Sequence, residues 1–317
     1  MQDLIKAIQN SPTDSMAHWD LGEFYEKNAT LMNAIAQYRT SITFGNGTPY
    51  SFLILARTYF SIGQIKLGVD ICEQLIEGEF DPTITANAED LLKLSIGLTN
   101  SSLKSLNHNS YYRLKSLADH INETTSNKHC SILDVGGGIG ELCLFLPDAY
   151  YALVEPSVNG LSAPLPFEKK SFDIVVSCHV LEHIPINERD EFLDSLCMIA
   201  KEKVIILNPF SFDDSNEWLT LIYEITGGSW AKEHAECTMP VLDDINSYAK
   251  RRGYPYKIIP NGSKTLSISM LFFEHYAKMT DKRNELIKIN NMFNNLELSN
   301  LVNEKSPNAY LIEFDVR

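Results

Sequence analysis

Three short stretches of the chain carry side chains whose types and spacing could do chemistry. The first is the run Ser131–Leu146, where an apolar segment leads into Asp134-Val135-Gly136-Gly137-Gly138-Ile139-Gly140 and then Glu141. An apolar strand, a glycine turn and a helix start together bring backbone N–H groups up to a ligand. A dinucleotide fingerprint would need a further glycine three places after Gly138, and Glu141 stands there instead. Taken alone, the segment could also be a plain glycine turn. The second stretch is the strand candidate Tyr150–Val154, which ends at Glu155, about 20 residues downstream. A carboxylate in that position accepts hydrogen bonds from vicinal ribose hydroxyls, or it is a surface glutamate after a strand.

The third stretch is His179-Val180-Leu181-Glu182-His183. It matches H-x-x-E-H, a zinc-peptidase pattern that needs a helix to put both histidines on one face. Here it follows a strand-like run, Phe172–Ser177, and no third ligand is signalled, so no metal is expected. His179 and His183 are then candidates for a general base, with an ordinary imidazole pKa near ~6.5, and Glu182 would orient one of them. The alternative is that His183 caps or packs the following helix and that any reaction there proceeds by proximity. Asn208 follows the strand candidate Val204–Leu207. Ser229-Trp230-Ala231-Lys232-Glu233-His234 combines one aromatic with polar groups. Trp230 and His234 would suit stacking on a sugar or another polar substrate, or Trp230 would anchor an ordinary loop.

The elements that position these groups repeat a strand-then-helix order from residue 110 onward. The motif D-x-G-x-G-x-G at 134–140, then Leu165-Pro166-Phe167, then Phe172-Asp173-Ile174-Val175-Val176 running to Leu181-Glu182-His183-Ile184 resembles the small-molecule branch of the class I S-adenosylmethionine-dependent methyltransferases. The resemblance implies an α/β, Rossmann-like doubly wound sheet and S-adenosylmethionine as cofactor. It implies that Gly136, Gly137 and Gly138 lie beside the methionine moiety, with Asp134 facing the ammonium group. Glu155 would hold the ribose, Pro156 would line the adenosine pocket, and Leu165 and Cys178 would complete the cofactor set. One departure is visible. Only nine residues separate Glu155 from Leu165, fewer than the roughly 10–12 that a crossover helix and strand require. The third strand is therefore expected to be shortened or absent. Leu161 also stands where the family carries an acidic adenine reader.

Residues 1–100 have a different character. Apolar positions recur at helical spacing, and a self-comparison at a shift of 34 pairs Leu21 with Leu55, Gly22 with Ala56, Tyr25 with Tyr59 and Ala34 with Gly68. This period resembles the tetratricopeptide repeat. It predicts an all-α helical-repeat domain over 1–100, closed by a capping helix at Ile84–Leu98. Its role would be substrate presentation or self-association. The methyltransferase domain would then span 101–317, with helical substrate insertions at about 211–240 and 263–300. Tyr256–Ile259 and Tyr310–Val316 are expected as its last two antiparallel strands, and Val241–Arg252 as a helix ended by Gly253.

Twenty-seven basic residues stand against 41 acidic ones, a net charge of −14. That field disfavours nucleic acid as a partner. The six cysteines show no CxxC pair, and the opening MQDLIKAIQN lacks the basic-then-apolar pattern of a signal peptide. No apolar run approaches the ~18 residues of a membrane span. These features lead to the expectation of a cytoplasmic protein. The leading expectation is methyl transfer to an oxygen or nitrogen of a sugar, glycan or other small polar acceptor. The alternatives are a protein or carrier-bound acceptor recruited by the repeats, or a non-catalytic scaffold.

Overall fold

The computed structural model describes residues 1–78, 80–211 and 215–317, and of residues 215, 216 and 230 the backbone only. The chain forms two compact units. One comprises 1–103 with 125–167, and the other comprises 104–124 with 168–317.

The first unit opens with six helices: α1 (Gln2–Asn10), α2 (Ser15–Lys27), α3 (Leu31–Thr43), α4 (Pro49–Ser61), α5 (Ile65–Glu77) and α6 (Pro82–Ser95). Their starts are written in the sequence. Asp14 accepts from the backbone N–H groups of Met16 and Ala17, Thr48 accepts from that of Ser51, and Asp81 from that of Thr83. Pro49 and Pro82 sit in the first turns, where a missing N–H costs nothing. Small residues set how closely the helices pack. A Cβ on Gly22 would come within 2.7 Å of the Tyr38 ring, and one on Gly68 within 2.5 Å of the Phe60 ring. Ala34 and Ala56 are fully buried.

Two parallel strands complete this unit: β1 (Ser131–Val135) and β2 (Tyr150–Val154), in register from Ser131 opposite Tyr150 to Val135 opposite Val154. The connection between them holds only a 3-10 turn, Glu141–Leu144. After β2 comes α8 (Pro156–Asn159), capped by Glu155. No strand follows in residues 160–171, which agrees with the short link read from the sequence. Helix α3 packs against β2. The Oγ of Thr40 accepts from the Leu153 N–H at 3.2 Å, and that of Thr43 donates to the Tyr151 carbonyl at 2.8 Å. These two threonines satisfy backbone groups of β2 that β1 does not reach.

The second unit contains α7 (His108–Thr124), β3 (Phe172–Cys178), α9 (Arg189–Ile199), β4 (Ala200–Asn208), α10 (Ser215–Thr226), α11 (Ser229–Glu236), α12 (Leu242–Arg252), β5 (Tyr256–Asn261), α13 (Lys264–Met279), α14 (Arg283–Asn294) and β6 (Ala309–Asp315). β3 and β4 pair in parallel, while β6 runs antiparallel to both β4 and β5. Buried Glu313 on β6 accepts from Lys203 of β4 at 2.8 Å and pairs with His120 of α7 at 2.7 Å. α12 ends at Gly253, whose φ of 75° takes the left-handed cap that favours glycine. Ser229–His234, whose residues suggested a polar loop, forms most of α11. Among the described residues no helix is long and apolar enough to cross a membrane.

Candidate functional site

Beside the glycine loop of the first unit, one buried carboxylate oxygen is left without a hydrogen-bond partner. Asp134 sits in β1 and is 1% exposed. Its Oδ2 accepts from the Tyr151 hydroxyl at 2.7 Å, whereas its Oδ1 has no hydrogen-bond partner. Burial pushes this carboxyl up to about 7, against the pull of the Tyr151 hydrogen bond. An orphaned, buried carboxylate oxygen is unusual enough to need an explanation, and a cationic ligand group supplies one. The loop itself keeps close to Asp134. A Cβ on Gly137 would fall 2.2 Å from Oδ2, so only glycine fits there. Gly136 and Gly138 both take positive φ, 75° and 57°, and nothing lies within 4 Å of where a Gly138 Cβ would be. The loop thus presents bare backbone to open space.

Glu155 ties the loop to the end of β2. Its Oε2 accepts from the Gly138 N–H at 3.1 Å, and its Oε1 accepts from the Ser157 N–H and hydroxyl at 3.1 and 2.8 Å. Pro156 opens α8 behind it. Asn159, fully buried, holds this turn in place. It donates to the Leu153 carbonyl at 2.7 Å and accepts from the N–H groups of Glu155 and Leu161. Leu161 and Leu165 are both buried. The donor set therefore fits an amino-acid ammonium at Asp134, with the carboxylate of Glu155 beside bare loop backbone.

The second unit holds a cavity of about 520 Å³. Arg113 of α7, His179, Phe210, Trp218 of α10, His234 of α11 and Lys264 of α13 are among its walls. Its surface is mostly apolar, with polar groups at a few points, as expected for a small-molecule site. His179 follows β3 with φ at 58°, a left-handed conformation that a non-glycine residue adopts under constraint. Its N–H donates to the Leu207 carbonyl at 2.8 Å. Burial drives its imidazole well below the usual value, and Arg113 adds to that, so the ring is neutral. Nδ1 of His179 lies 3.6 Å from Oε1 of Glu182. Glu182 is 2% exposed, and neither of its carboxylate oxygens has a hydrogen-bond partner. Burial raises its pKa. Nε2 of His183 lies 3.2 Å from Nε2 of His234, and its Nδ1 lies 3.3 Å from Oε1 of Glu233.

The structure thus brings the sequence candidates together in two groups. Asp134, Gly136, Gly137, Gly138, Glu155 and Pro156 gather around the loop of the first unit. His179, Glu182, His183 and His234 cluster in the second. His179 and His234 line the cavity, while His183 does not. Cys178 ends β3 opposite Leu207 of β4. Asn208 is fully buried, accepting from the Leu181 N–H and donating to the Pro209 carbonyl, and its side chain also bears on Glu182. The side chain of Trp230 lies outside the described residues. Sequence reasoning missed Tyr151, Asn159, Arg113 and Glu233. A hydroxyl inside the apolar run of β2 was the one available signal for Tyr151. The others belong to helices or turns with no local pattern.

Residues 106–256 match a family model described as a methyltransferase domain. No curated protein matches the chain. Among solved structures, an S-adenosylmethionine-dependent methyltransferase from Thermotoga maritima shares 12% identity, covering 68% of this chain and 99% of its own, with a TM-score of 0.42. Magnesium protoporphyrin IX methyltransferase from Synechocystis, with bound S-adenosylhomocysteine, shares 13% identity over 64% of this chain and 81% of its own, at a TM-score of 0.39. Phosphoethanolamine N-methyltransferase 2 from Haemonchus contortus, in complex with S-adenosylmethionine, shares 14% identity over 64% and 51%, also at 0.39. The acceptors in those names belong to those proteins. The matched residues include the glycine loop, β3 and the His179–His183 turn, so this mixed α/β chain contains a segment similar to a methyltransferase domain.

Proposed function

We propose that the enzyme transfers a methyl group to an oxygen or nitrogen of a small polar acceptor, of the size of a sugar, seated in the cavity of the second unit. The observation that carries this is the cavity itself, about 520 Å³ with His179 in its wall. Apolar surface from Phe210 and Trp218 would cover the face of a ring, while Arg113 and Lys264 supply donors for hydroxyl or anionic groups. S-adenosylmethionine supplies an electrophilic methyl group on a sulfonium. Asp134 and the Gly136–Gly138 backbone would hold its amino-acid end, Glu155 its ribose, and Pro156 and Leu165 would line the adenosine. Methyl transfer is an in-line displacement, so positioning the nucleophile is the main task of the protein. His179, in the cavity wall, would orient the nucleophile or accept the proton it loses, the latter against the burial that disfavours its charged form.

The helical residues 1–100 are read as tetratricopeptide-like, and the helical segments at about 211–240 and 263–300 as acceptor-binding insertions of a 101–317 catalytic domain. A second acceptor class, carried on a protein, is favoured by Leu94, Ile96 and Leu98, which stand exposed at the end of α6 and could also serve self-association. A reducing, cytoplasmic setting suits the six cysteines, four of them buried and none in a disulfide among the described residues.

The test is His179→Ala, assayed by release of S-adenosylhomocysteine across a panel of free sugars and small hydroxyl and amine acceptors. Turnover is expected to fall about 10²-fold or more, with S-adenosylmethionine affinity retained. Turnover close to that of the parent would remove His179 from the chemistry.

A further inference from the structure

Glu182, His183 and His234 are the one group of three potential metal ligands among the described residues, their ligand atoms lying within 4.8 Å of one another. They come from two elements. Glu182 and His183 lie in the turn after β3, and His234 lies on α11, fifty-one residues away. We propose that they bind a divalent transition-metal ion at the edge of the acceptor cavity, with one coordination position left for an oxygen of the acceptor.

Four observations carry this. First, both oxygens of Glu182 are buried without a hydrogen-bond partner. The groups nearest to them are His179, whose Nδ1 stands 3.6 Å away, the Asn208 amide and the Glu182 backbone N–H, while His183 and Arg113 act through space. A buried carboxylate in that condition is costly unless a cation completes it. Second, the Nε2 atoms of His183 and His234 face each other at 3.2 Å. Two nitrogens bound at about 2.1 Å to a tetrahedral ion stand roughly 3.4 Å apart, so the rings already sit at ligand spacing. Third, Nδ1 of His183 lies 3.3 Å from Oε1 of Glu233. A carboxylate there favours the tautomer in which Nδ1 carries the hydrogen and faces it, leaving Nε2 as a lone-pair donor, the arrangement that orients metal-bound histidine. Fourth, two imidazoles and one carboxylate make three protein ligands, the number found where an ion keeps a position open for substrate. His234 is itself part of the cavity wall, so that position opens toward the acceptor.

The donor set favours zinc, cobalt or manganese over magnesium or calcium, which prefer oxygen-only sites. Such an ion would select an oxygen acceptor, a hydroxyl in particular, and would favour its deprotonated form. This last part rests on the methyl-transfer reading, whereas ion binding by the three side chains does not.

Chelator-stripped full-length enzyme is titrated with Co2+, read by its visible absorption bands, and with Zn2+, read by calorimetry. One equivalent per chain is expected, with nitrogen ligation visible in the cobalt spectrum. His234→Ala lies on a partly exposed helix face and should lower affinity at least about 10-fold, with Glu233→Gln about 10-fold weaker through its effect on His183. S-adenosylmethionine affinity, measured in parallel, reports that each variant is folded. Absence of saturable Co2+ and Zn2+ binding, or unchanged affinity in the His183→Ala/His234→Ala double variant, overturns the site while leaving the cofactor assignment standing. Metal binding without S-adenosylmethionine binding sinks that assignment and leaves the metal site. Metal binding with O-methylation unaffected by chelation overturns the acceptor-ligand role.

Discussion

Asp134 is a carboxylate that the fold keeps at a cost. Burial raises it from an ordinary 3.8 to about 7, with Glu155 adding to the rise and the Tyr151 hydrogen bond opposing it. Since the folded pKa is above the unfolded one, the folded state holds the extra proton between those values. The stability this proton supplies is fully present below 3.8 and is lost as pH rises through about 7. The span corresponds to ~4 kcal/mol at most. Asp134→Asn removes the titration and can still accept the Tyr151 hydroxyl through its amide oxygen. The ligand-free variant is therefore expected to melt several degrees above the parent at pH 8. The two should converge toward pH 4, where the parent carboxyl is also neutral. At the same time its S-adenosylmethionine affinity should fall at least about 10-fold, since a neutral amide no longer attracts an ammonium group. Thermal melts across pH, with a binding titration at pH 8, check both halves. A variant that binds as tightly as the parent would show that the orphan oxygen does not face the cofactor. This residue was legible in the sequence because its meaning is local: Asp134 and the glycines beside it share one turn. Glu182 was legible as the neighbour of two histidines in its own segment but not of His234, which lies on another element and which only the fold brings near.

At the scale of elements, α3 does work that a crossover helix would do in a longer connection. Only a 3-10 turn, Glu141–Leu144, links β1 toward β2, and α3 fills the space beside it. A Cβ on Gly140 would meet that of Ala36 at 2.6 Å, so the loop and α3 touch backbone to side chain. Arg39 of α3 is 5% exposed and donates to the carbonyls of Leu146 at 3.0 Å, Ala149 at 2.6 Å and Cys143 at 3.5 Å, and to the Tyr59 hydroxyl at 3.0 Å. Arg39→Met keeps the apolar stem and removes the donors. Three carbonyls and a hydroxyl then lose a donor, with Leu146 keeping the Ala149 N–H, at about 1–3 kcal/mol for each one left buried and unsatisfied. A loss of several kcal/mol is expected, read as a lower denaturant midpoint, against about 1 kcal/mol for Thr43→Val, which deletes a single hydrogen bond. A midpoint within error of the parent would mean that water replaces the guanidinium. The strands were legible because apolar runs and turns mark them: β1 and β2 fall where the residues placed them, and β3 differs by one residue. The role of α3 was not. An arginine and two threonines at helical positions look like any surface set until the strand they serve is known.

On the scale of the whole chain, the helical repeat pattern suggested a separate N-terminal domain over 1–100. The structure makes a different physical demand. Residues 1–103 and 125–167 form one compact unit, and β2 is bonded to a strand on one side and to Thr40 and Thr43 on the other. Tyr25 of α2 also donates its hydroxyl to the Val158 carbonyl at 2.5 Å, and Gln9 of α1 donates to that of Gly160 at 2.9 Å. These contacts reach α8 and the turn beyond it, which is the segment that Glu155 caps. Deleting residues 1–100 would strip the apolar cover from β2, leave its outer backbone groups to water, and release the Glu155 turn. The truncated chain is therefore expected to lose S-adenosylmethionine binding by about 100-fold or more, because the groups assigned to the cofactor would no longer be held in a single arrangement. Hydrogen exchange locates the effect: the amides of Tyr150–Val154 should exchange at rates near those of an unfolded chain, while those of β4 and β6 stay protected. If the truncated protein binds the cofactor as the parent does and β2 remains protected, the helices are an appended module after all. If protection and affinity fall together, they are part of the cofactor site.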